Sequence, residues 1–290
     1  MFKKSFKYSI SIFGIIVVIA LGTMIWFWYR DFSDTKVIFL DVGQGDAILI
    51  SQGSNQMLID GGRSGKILLE RLSEYMPFWD HSLEVVVATH PDEDHIGGLV
   101  DAVNAYTVGV FLDTKVKSDT MVYKALQEAK STHQVKNVET FSGLSVKFPD
   151  GGIIETLHPF ESLANYQSKD TNVTSIVMKL TTTSGKTFLF TGDVPNDQEA
   201  LLNVGKIDVL KAGHHGSKYA SSSEFLEKLS PYDAILSVGA NNRYGHPAPE
   251  TLDRLRNHHV HIFRTDTQGS ILYRCPVEKE RDCVASTGKD

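Results

Sequence analysis

Cysteine is nearly absent: Cys275 and Cys283 are the only two in 290 residues. They form no Cys-x-x-Cys pair, which excludes a cysteine-held structural zinc and a multi-disulfide framework. Near the carboxyl terminus they either close a short loop as a disulfide or stand as free thiols on a tail. No Gly-x-Ser-x-Gly stretch occurs, so a serine nucleophile elbow is excluded. Internal repeats and low-complexity tracts are missing, which removes solenoids and flexible arrays. Basic charge is also scarce. Lys3, Lys4, Lys7 and Arg30 precede Asp31, leaving 25 basic residues against all 35 acidic ones and a net charge near −10. A broad basic stripe that tracks a nucleic-acid backbone is therefore not visible.

Only one long apolar run is present, from Ile10 to Tyr29. About twenty such residues suffice to cross a bilayer as a helix. Lys3, Lys4 and Lys7 precede the run, and Trp26, Trp28 and Tyr29 close it as an aromatic belt would. The positive-inside tendency then keeps the amino terminus cytoplasmic and exports the remainder. A cleaved signal peptide, ending near Ala20-Leu21-Gly22, is the competing reading. With 41% hydrophobic and 22% charged residues, the remainder can bury a full core.

The most informative stretch is His90-Pro91-Asp92-Glu93-Asp94-His95-Ile96-Gly97-Gly98. It follows Leu83-Glu84-Val85-Val86-Val87-Ala88-Thr89, an apolar and β-branched run that reads as a buried strand. Four potential metal ligands, His90, Asp92, Asp94 and His95, thus stand at the carboxyl end of a strand, where open α/β sheets tend to place chemistry. Such donors suit Zn²⁺, Mn²⁺ or Fe. Two further strands end the same way: Phe188–Phe190 leads to Gly192-Asp193, and Ile207–Leu210 leads to Gly213-His214-His215-Gly216. The ordered set of three is far more specific than any one.

Strands are expected at Lys36–Leu40, Ala47–Ser51, Gln56–Ile59, Leu144–Phe148, Ile153–Leu157, Ser175–Thr182 and Lys186–Thr191. Helices are expected at Lys66–Tyr75, Ile96–Ala105, Met121–Lys130, Asn196–Leu202, Ser223–Leu229 and Glu250–Asn257, with cap-type residues opening those near Asn196 and Ser223. Alternation on this scale gives a layered α/β domain.

These motifs resemble the metallo-β-lactamase fold, and within it the C-terminal, extracytoplasmic nuclease-like domain of ComEC DNA-uptake and competence proteins. Asp41-Val42-Gly43-Gln44-Gly45-Asp46, Leu58-Ile59-Asp60-Gly61-Gly62, Gly245-His246-Pro247-Ala248-Pro249 and Thr265-Asp266-Thr267-Gln268-Gly269-Ser270-Ile271 carry the same resemblance. It implies an αββα sandwich over residues 37–274, preceded by a cytoplasmic segment (1–9), the transmembrane anchor (10–29) and a linker (30–36), and followed by a tail (275–290). The fold's His-x-His-x-Asp-His motif has Asp92 at its second histidine, as the ComEC group does, whereas β-lactamases generally keep that histidine. The polytopic channel of full ComEC proteins has no counterpart here, so a separate membrane-channel partner is expected.

The resemblance also implies two divalent ions, Zn²⁺ or Mn²⁺. His90, Asp92 and His158 would serve the first, Asp94, His95 and His215 the second, and Asp193 would bridge them. His214 and His215 are not distinguished by the sequence alone. The assignment taken makes His215 the ligand and His214, with Asp94 and His246, catalytic. Asp46 and Asp60 are expected to orient ligand loops. Asn172, Ser175, Ser217 and Lys218 are expected near substrate. His81, His133, His258, His259 and His261 lack companion ligands and read as solvated or packing residues. The implied activity is a DNase-like phosphodiesterase at the cell membrane. A cell-envelope phosphorylcholine-type phosphodiesterase and a catalytically silent DNA-receptor or assembly module are the alternatives.

Overall fold

The computed structural model describes residues 16–24, 32–166, 170–278 and 281–288. Within the expected anchor, residues 16–24 are helical and exposed, while 10–15 and 25–29 lie outside the described residues. Among the described residues no helix is long and apolar enough to cross a membrane.

Among the described residues, fifteen strands form two sheets. The first begins with β1 (Thr35–Phe39), β2 (Ile48–Gln52), β3 (Asn55–Ile59), β4 (Ser82–Val87), β5 (Thr107–Asp113) and β6 (Asn137–Glu139). It is extended by β14 (Ile271–Cys275) and β15 (Val284–Thr287), in the order β15-β14-β1-β2-β3-β4-β5-β6. The second contains β7 (Ser145–Lys147), β8 (Ile153–His158), β9 (Val177–Thr181), β10 (Thr187–Phe190), β11 (Val209–Lys211), β12 (Asp233–Leu236) and β13 (His261–Arg264). Its order is β13-β12-β11-β10-β9-β8-β7.

Three apolar layers explain the stacking. Phe39, Ile50, Met57, Val87, Met178, Phe188, Phe190 and Tyr273 fill the space between the sheets. Leu68, Leu72, Ile96, Leu99, Val103 and Leu126 seal the outer face of the first sheet under its helices. Leu202, Phe225, Leu226, Leu229 and Leu255 do the same for the second. Each such side chain contributes about 1.5–3 kcal/mol when removed from water. The order is helix, sheet, sheet, helix, as an αββα sandwich requires.

Local sequence sets the helix boundaries. Ser64 caps Gly65–Tyr75 by accepting from Ile67 N, and Thr120 caps Met121–Thr132 by accepting from Tyr123 N. Ser222 caps Ser223–Leu229, whereas Asn196–Leu201 starts after Pro195 with no side-chain cap. The helix after the acidic motif starts at Glu93, not at Ile96. Its buried stripe of His95, Ile96, Leu99, Ala102 and Val103 recurs at helical spacing. Asp94 and His95 therefore sit on a rigid first turn rather than in a loop.

The carboxyl-terminal residues are not a loose tail. Cys275 and Cys283 form a disulfide, and β15 pairs antiparallel with β14 from Ile271↔Thr287 to Arg274↔Val284. The fold thus continues past residue 275, which corrects the expected boundary there.

The parallel strands determine where the chemistry gathers. β3, β4 and β5 run parallel in one sheet, and β10, β11 and β12 in the other. Their carboxyl ends meet along one edge: Ile176 N donates to Thr89 O at 3.0 Å, and His214 N to Gly192 O at 3.1 Å.

Candidate metal centre

Asp60 follows β3, His90 follows β4, Asp193 follows β10, and His214 and His215 follow β11. Glycine makes this convergence possible at two points. Gly45 has φ +126, and a Cβ there would lie 2.0 Å from Asp94 O. That close approach lets Asp46 N donate to Asp94 O at 3.2 Å. Gly98 lies flat against Gly61, whose carbonyl oxygen would be 2.1 Å from an added Cβ. The Asp60 loop thereby docks on the helix that carries Asp94 and His95.

Asp46, His95, Asp193 and His215 are all buried, with potential ligand atoms within 4.8 Å of one another. His95 Nε2 lies 3.3 Å from Asp193 Oδ2, and His215 Nε2 lies 3.4 Å from the same oxygen and 3.6 Å from Asp94 Oδ2. The His90 and His95 ring centroids are 4.1 Å apart, and His90 Nε2 is 3.8 Å from Asp92 Oδ2. His214 Nε2 is 3.7 Å from Asp193 Oδ2.

The Nδ1 side of each inner histidine is fastened by the protein. His95 Nδ1 bonds Asp60 Oδ2 at 2.8 Å, and Asp60 also accepts from Thr89 N and Thr89 Oγ1. His90 Nδ1 contacts Thr89 Oγ1 and Ser175 Oγ. His215 Nδ1 donates to Ser237 O at 3.0 Å. With Nδ1 committed, each ring aims Nε2 inward, the arrangement by which outer contacts orient metal-binding histidines. Buried polar atoms normally have partners. Here His90 Nε2, His95 Nε2, His215 Nε2 and Asp193 Oδ1 have no hydrogen-bond partner. A divalent cation is the partner this mixed imidazole and carboxylate set fits.

Electrostatics agree with that donor set. Burial alone would lower the His215 pKa, but Asp193 and Asp46 overcome it and hold the value at about 9. His95 is raised well above its ordinary value in the same way, by Asp193 and Asp60 against burial. His90 is lowered, first by burial and then by the charge of His95. Burial opposes ionisation of Asp193, yet the charges of His215 and His95 depress its pKa. Asp94 is depressed too: its contact with His215 and the charge of His95 outweigh burial.

Above the cluster is a cleft of about 110 Å³ lined by Gln44, Asp92, Asp94, Asn172, Asp193, His214, His215, Tyr244 and His246. His214 is 31% exposed there, while the His215 side chain is 2% exposed. The backbone of the pair is left-handed, with φ 47 and 54, a sparsely populated region for residues with a Cβ. His246 lies 5.5 Å from His214, ring to ring, and stacks on Tyr244 at 6.0 Å. Burial, then the charges of His214 and His215, lower the His246 pKa to about 4.

Several expected residues take other places. Asp46 joins His95, Asp193 and His215 in the buried group that could hold a cation, and it also orients, with Oδ1 3.2 Å from His215 Nδ1. Ser175 is buried: it accepts from Asp193 N at 3.1 Å and holds His90, so it positions ligands instead of facing substrate. Ser217 accepts from Tyr219 N, and Lys218 lies over the Tyr219 ring, so neither lines the cleft. His158 binds Ser175 O through Nδ1 and lines a different cavity with Phe160 and Gln198. It is not among the four residues whose potential ligand atoms lie within 4.8 Å of one another, and neither are His90, Asp92 and Asp94. Of the histidines read as bystanders, His133 bonds Asn104 and His261 bonds Asp233.

Four contributors were not singled out in the sequence. Lys211 is fully buried, with Nζ 2.6 Å from Asp46 Oδ2, and a lysine closing an apolar strand was the available signal. Thr171 donates to Asp92 Oδ1, for which no sequence signal exists. Gln44 and Tyr244 lie inside motifs that pointed to their neighbours. Tyr244 OH accepts from Arg63 at 3.4 Å and Arg243 at 3.3 Å, and these bonds lower its pKa.

Comparison with known proteins follows the same lines. A family model described as the metallo-beta-lactamase superfamily matches residues 40–239. ComE operon protein 3 of Bacillus subtilis is 30% identical over 268 residues, covering 83% of this chain and 33% of the relative. Competence protein ComA of Neisseria gonorrhoeae is 27% identical, covering 83% of this chain and 32% of the relative. The chain therefore spans about a third of the length of these relatives. Among solved structures, the metallo-beta-lactamase fold protein YhfI from Bacillus subtilis superposes with a TM-score of 0.55 at 14% identity, covering 82% of this chain and 99% of YhfI.

Proposed function

The chain belongs to the metallo-beta-lactamase superfamily, a superfamily of metal-dependent hydrolases, and on that premise we propose that it is a binuclear phosphodiesterase working outside the cell membrane. One observation carries the reading: buried ligand atoms without partners, on three histidines and Asp193, converge under a polar cleft. His90 and Asp92 would hold one Zn²⁺ or Mn²⁺, and Asp94, His95 and His215 the other, with Asp193 and Asp46 adjoining. Such ions supply Lewis-acid polarisation of a phosphoryl oxygen and acidify water.

The remaining work falls to the chain's own side chains. Asp60, Thr89, Ser175 and Ser237 O keep the three Nε2 atoms aimed at one volume. His214, partly exposed and 3.7 Å from Asp193, is placed to pass a proton to the leaving oxygen. His246, held neutral by its lowered pKa, serves as a hydrogen-bond partner for the phosphoryl group.

The competence proteins among the relatives support DNA as the source of the phosphodiester. This chain covers about a third of the length of those relatives, so DNA uptake as a whole is not carried over from them to it. The Cys275–Cys283 disulfide supports an oxidising, extracytoplasmic location. So do Lys3, Lys4 and Lys7 ahead of the apolar run at 10–29. The net charge near −10 beyond Asp31 favours one second reading, a cell-envelope esterase acting on small phosphorylcholine-type esters.

The purified protein, supplied with Mn²⁺ or Zn²⁺, is tested on linear DNA, bis(p-nitrophenyl) phosphate, phosphorylcholine esters and a β-lactam. Hydrolysis of the first two with little of the others is expected. Exclusive turnover of phosphorylcholine esters selects the second reading, and no turnover by the metal-loaded protein selects a silent binding module.

A further inference from the structure

A second concavity adjoins the ligand cleft and shares Gln44 and Tyr244 with it. This groove, of about 490 Å³, is flanked by Arg63, Arg243, Asn241 and Ser64. Both guanidinium groups converge on one point, the Tyr244 hydroxyl, although 180 residues separate them in the chain. In a region with net acidic charge, two arginines meeting beside the reaction centre are an exception. Arg243 also lies over the Tyr244 ring, 5.2 Å from its centroid, and among the described residues it has no carboxylate partner. Arg63 shares Glu93 at 3.8 Å, but that pair is exposed, contributes little, and leaves the guanidinium open to exchange.

The backbone under this cluster is braced. Asn242 donates to Gly239 O and His246 O and accepts from Tyr244 N and His246 N. That bracing presents Arg243 and Tyr244 on a fixed turn next to His246. Tyr244 is 47% exposed, and its ring stacks on His246. The tyrosine lines both the groove and the cleft, so it stands where the two concavities join.

Resting on the phosphodiester reading above, we propose that Arg63, Arg243 and Tyr244 form a subsite for the nucleotide next to the scissile phosphate, with the arginines on its phosphate and the tyrosine against its base. Guanidinium pairs suit phosphate oxygens because their donors form a planar fork. Aromatic rings bind single-stranded nucleic acid by stacking on any base. The groove lies beside the cleft, so the substrate must extend beyond one phosphodiester and must be single-stranded where it enters. A local pair of cations reconciles phosphate-chain binding with an acidic surface, because no long basic track is needed.

The test is polarisation of a fluorescein-labelled octathymidylate bound to the full chain across a salt series, with no added divalent ion. Each single-strand phosphate contact contributes about 0.7 to the slope of log Kobs against log[salt]. R63Q/R243Q should lower that slope by about 1.4 and weaken binding roughly tenfold at low salt. K124Q/K147Q removes the same charge from exposed sites elsewhere and should leave the slope as in the unaltered protein. Y244L should weaken octathymidylate binding, and a poly(glycerol phosphate) of equal charge should compete poorly.

An unchanged slope in R63Q/R243Q would overturn the subsite. Equal competition by poly(glycerol phosphate) would also overturn it, in favour of a wall-polymer groove. Since binding is read without turnover, the two readings fail separately. A chain that hydrolyses bis(p-nitrophenyl) phosphate but shows an unchanged slope in the variant refutes the subsite alone. A chain that hydrolyses no phosphodiester but loses slope in the variant refutes the hydrolase and retains the subsite.

Discussion

Lys211 Nζ lies 2.6 Å from Asp46 Oδ2, with both side chains removed from water directly beneath the ligand histidines. Lys211 also donates to Ala212 O at 3.0 Å, so its charge is held by a carboxylate and a carbonyl. Burial disfavours the Asp46 anion, yet the charges of Lys211 and His215 hold its pKa below the ordinary value. Lys211 thus keeps a carboxylate ionised inside the fold, where it can face a cation.

Lys211→Met should destabilise the metal-free protein by about 3–5 kcal/mol, the cost of a buried charge left without its partner. Lys211→Met/Asp46→Leu should recover most of that loss, because neither charge then remains. The sign with pH follows from the depressed Asp46 pKa. Its contribution is present above the usual carboxylate range and is lost as pH falls through the lowered value. Urea unfolding of both variants, at neutral and acid pH, measures each difference.

The raised histidines predict an opposite trend at the alkaline side. His215 goes from 6.5 to about 9 on folding, and His95 moves in the same direction. Their contribution is therefore complete below pH 6.5 and lost as pH rises through about 9. Chelator-treated protein should lose thermal stability across that window. Metal-loaded protein should gain over the same range, because cations replace the protons and bind more tightly as protons become scarce. A flat melting temperature for the chelated protein between these values would remove the argument.

As a ligand in the proposed site, Asp92 would make its half richer in oxygen, which suits Mn²⁺ better than an all-imidazole site would. Asp92→His should shift the ratio of Mn²⁺- to Zn²⁺-supported activity toward Zn²⁺ by several fold. Activity profiles of the two proteins across both metals check this, and identical ratios would count against the role given to Asp92.

Topology has its own test. Protease added to intact cells should remove residues 37–288 and leave a small membrane-bound fragment carrying Lys3, Lys4 and Lys7. Protection until lysis would place the domain in the cytoplasm and remove the extracytoplasmic reading.

What the sequence revealed was local. His90, Asp92, Asp94 and His95 fall within six residues behind an apolar strand, so both the strand and the donor set could be read from spacing. The His214-His215 pair and Asp193 were visible for the same reason. Contacts made with partners distant in the chain were not, even where the residue itself was singled out. Ser175 reaches His90 across 85 residues, and Thr171 reaches Asp92 across 79. Lys211 and Asp46 meet only because the two sheets stack. β5 was missed because Gly109 interrupts its pattern. A Cβ there would lie 2.7 Å from Glu84 O, so glycine is what lets this strand lie against β4. β15 was missed because an exposed, alternating segment after Cys275 looks like a tail until the disulfide and β14 hold it.

Asp193 gives the most direct test of the whole account, since His95, His214 and His215 all face it. Metal content by elemental analysis, after saturation with Mn²⁺ and Zn²⁺ in turn, is to be measured for the unaltered protein and for Asp193→Ala. Two ions per chain are expected in the first, and in the variant a loss of metal with at least about a hundredfold loss of bis(p-nitrophenyl) phosphate turnover. A single ion in the unaltered protein, or full metal content and activity in Asp193→Ala, would contradict it.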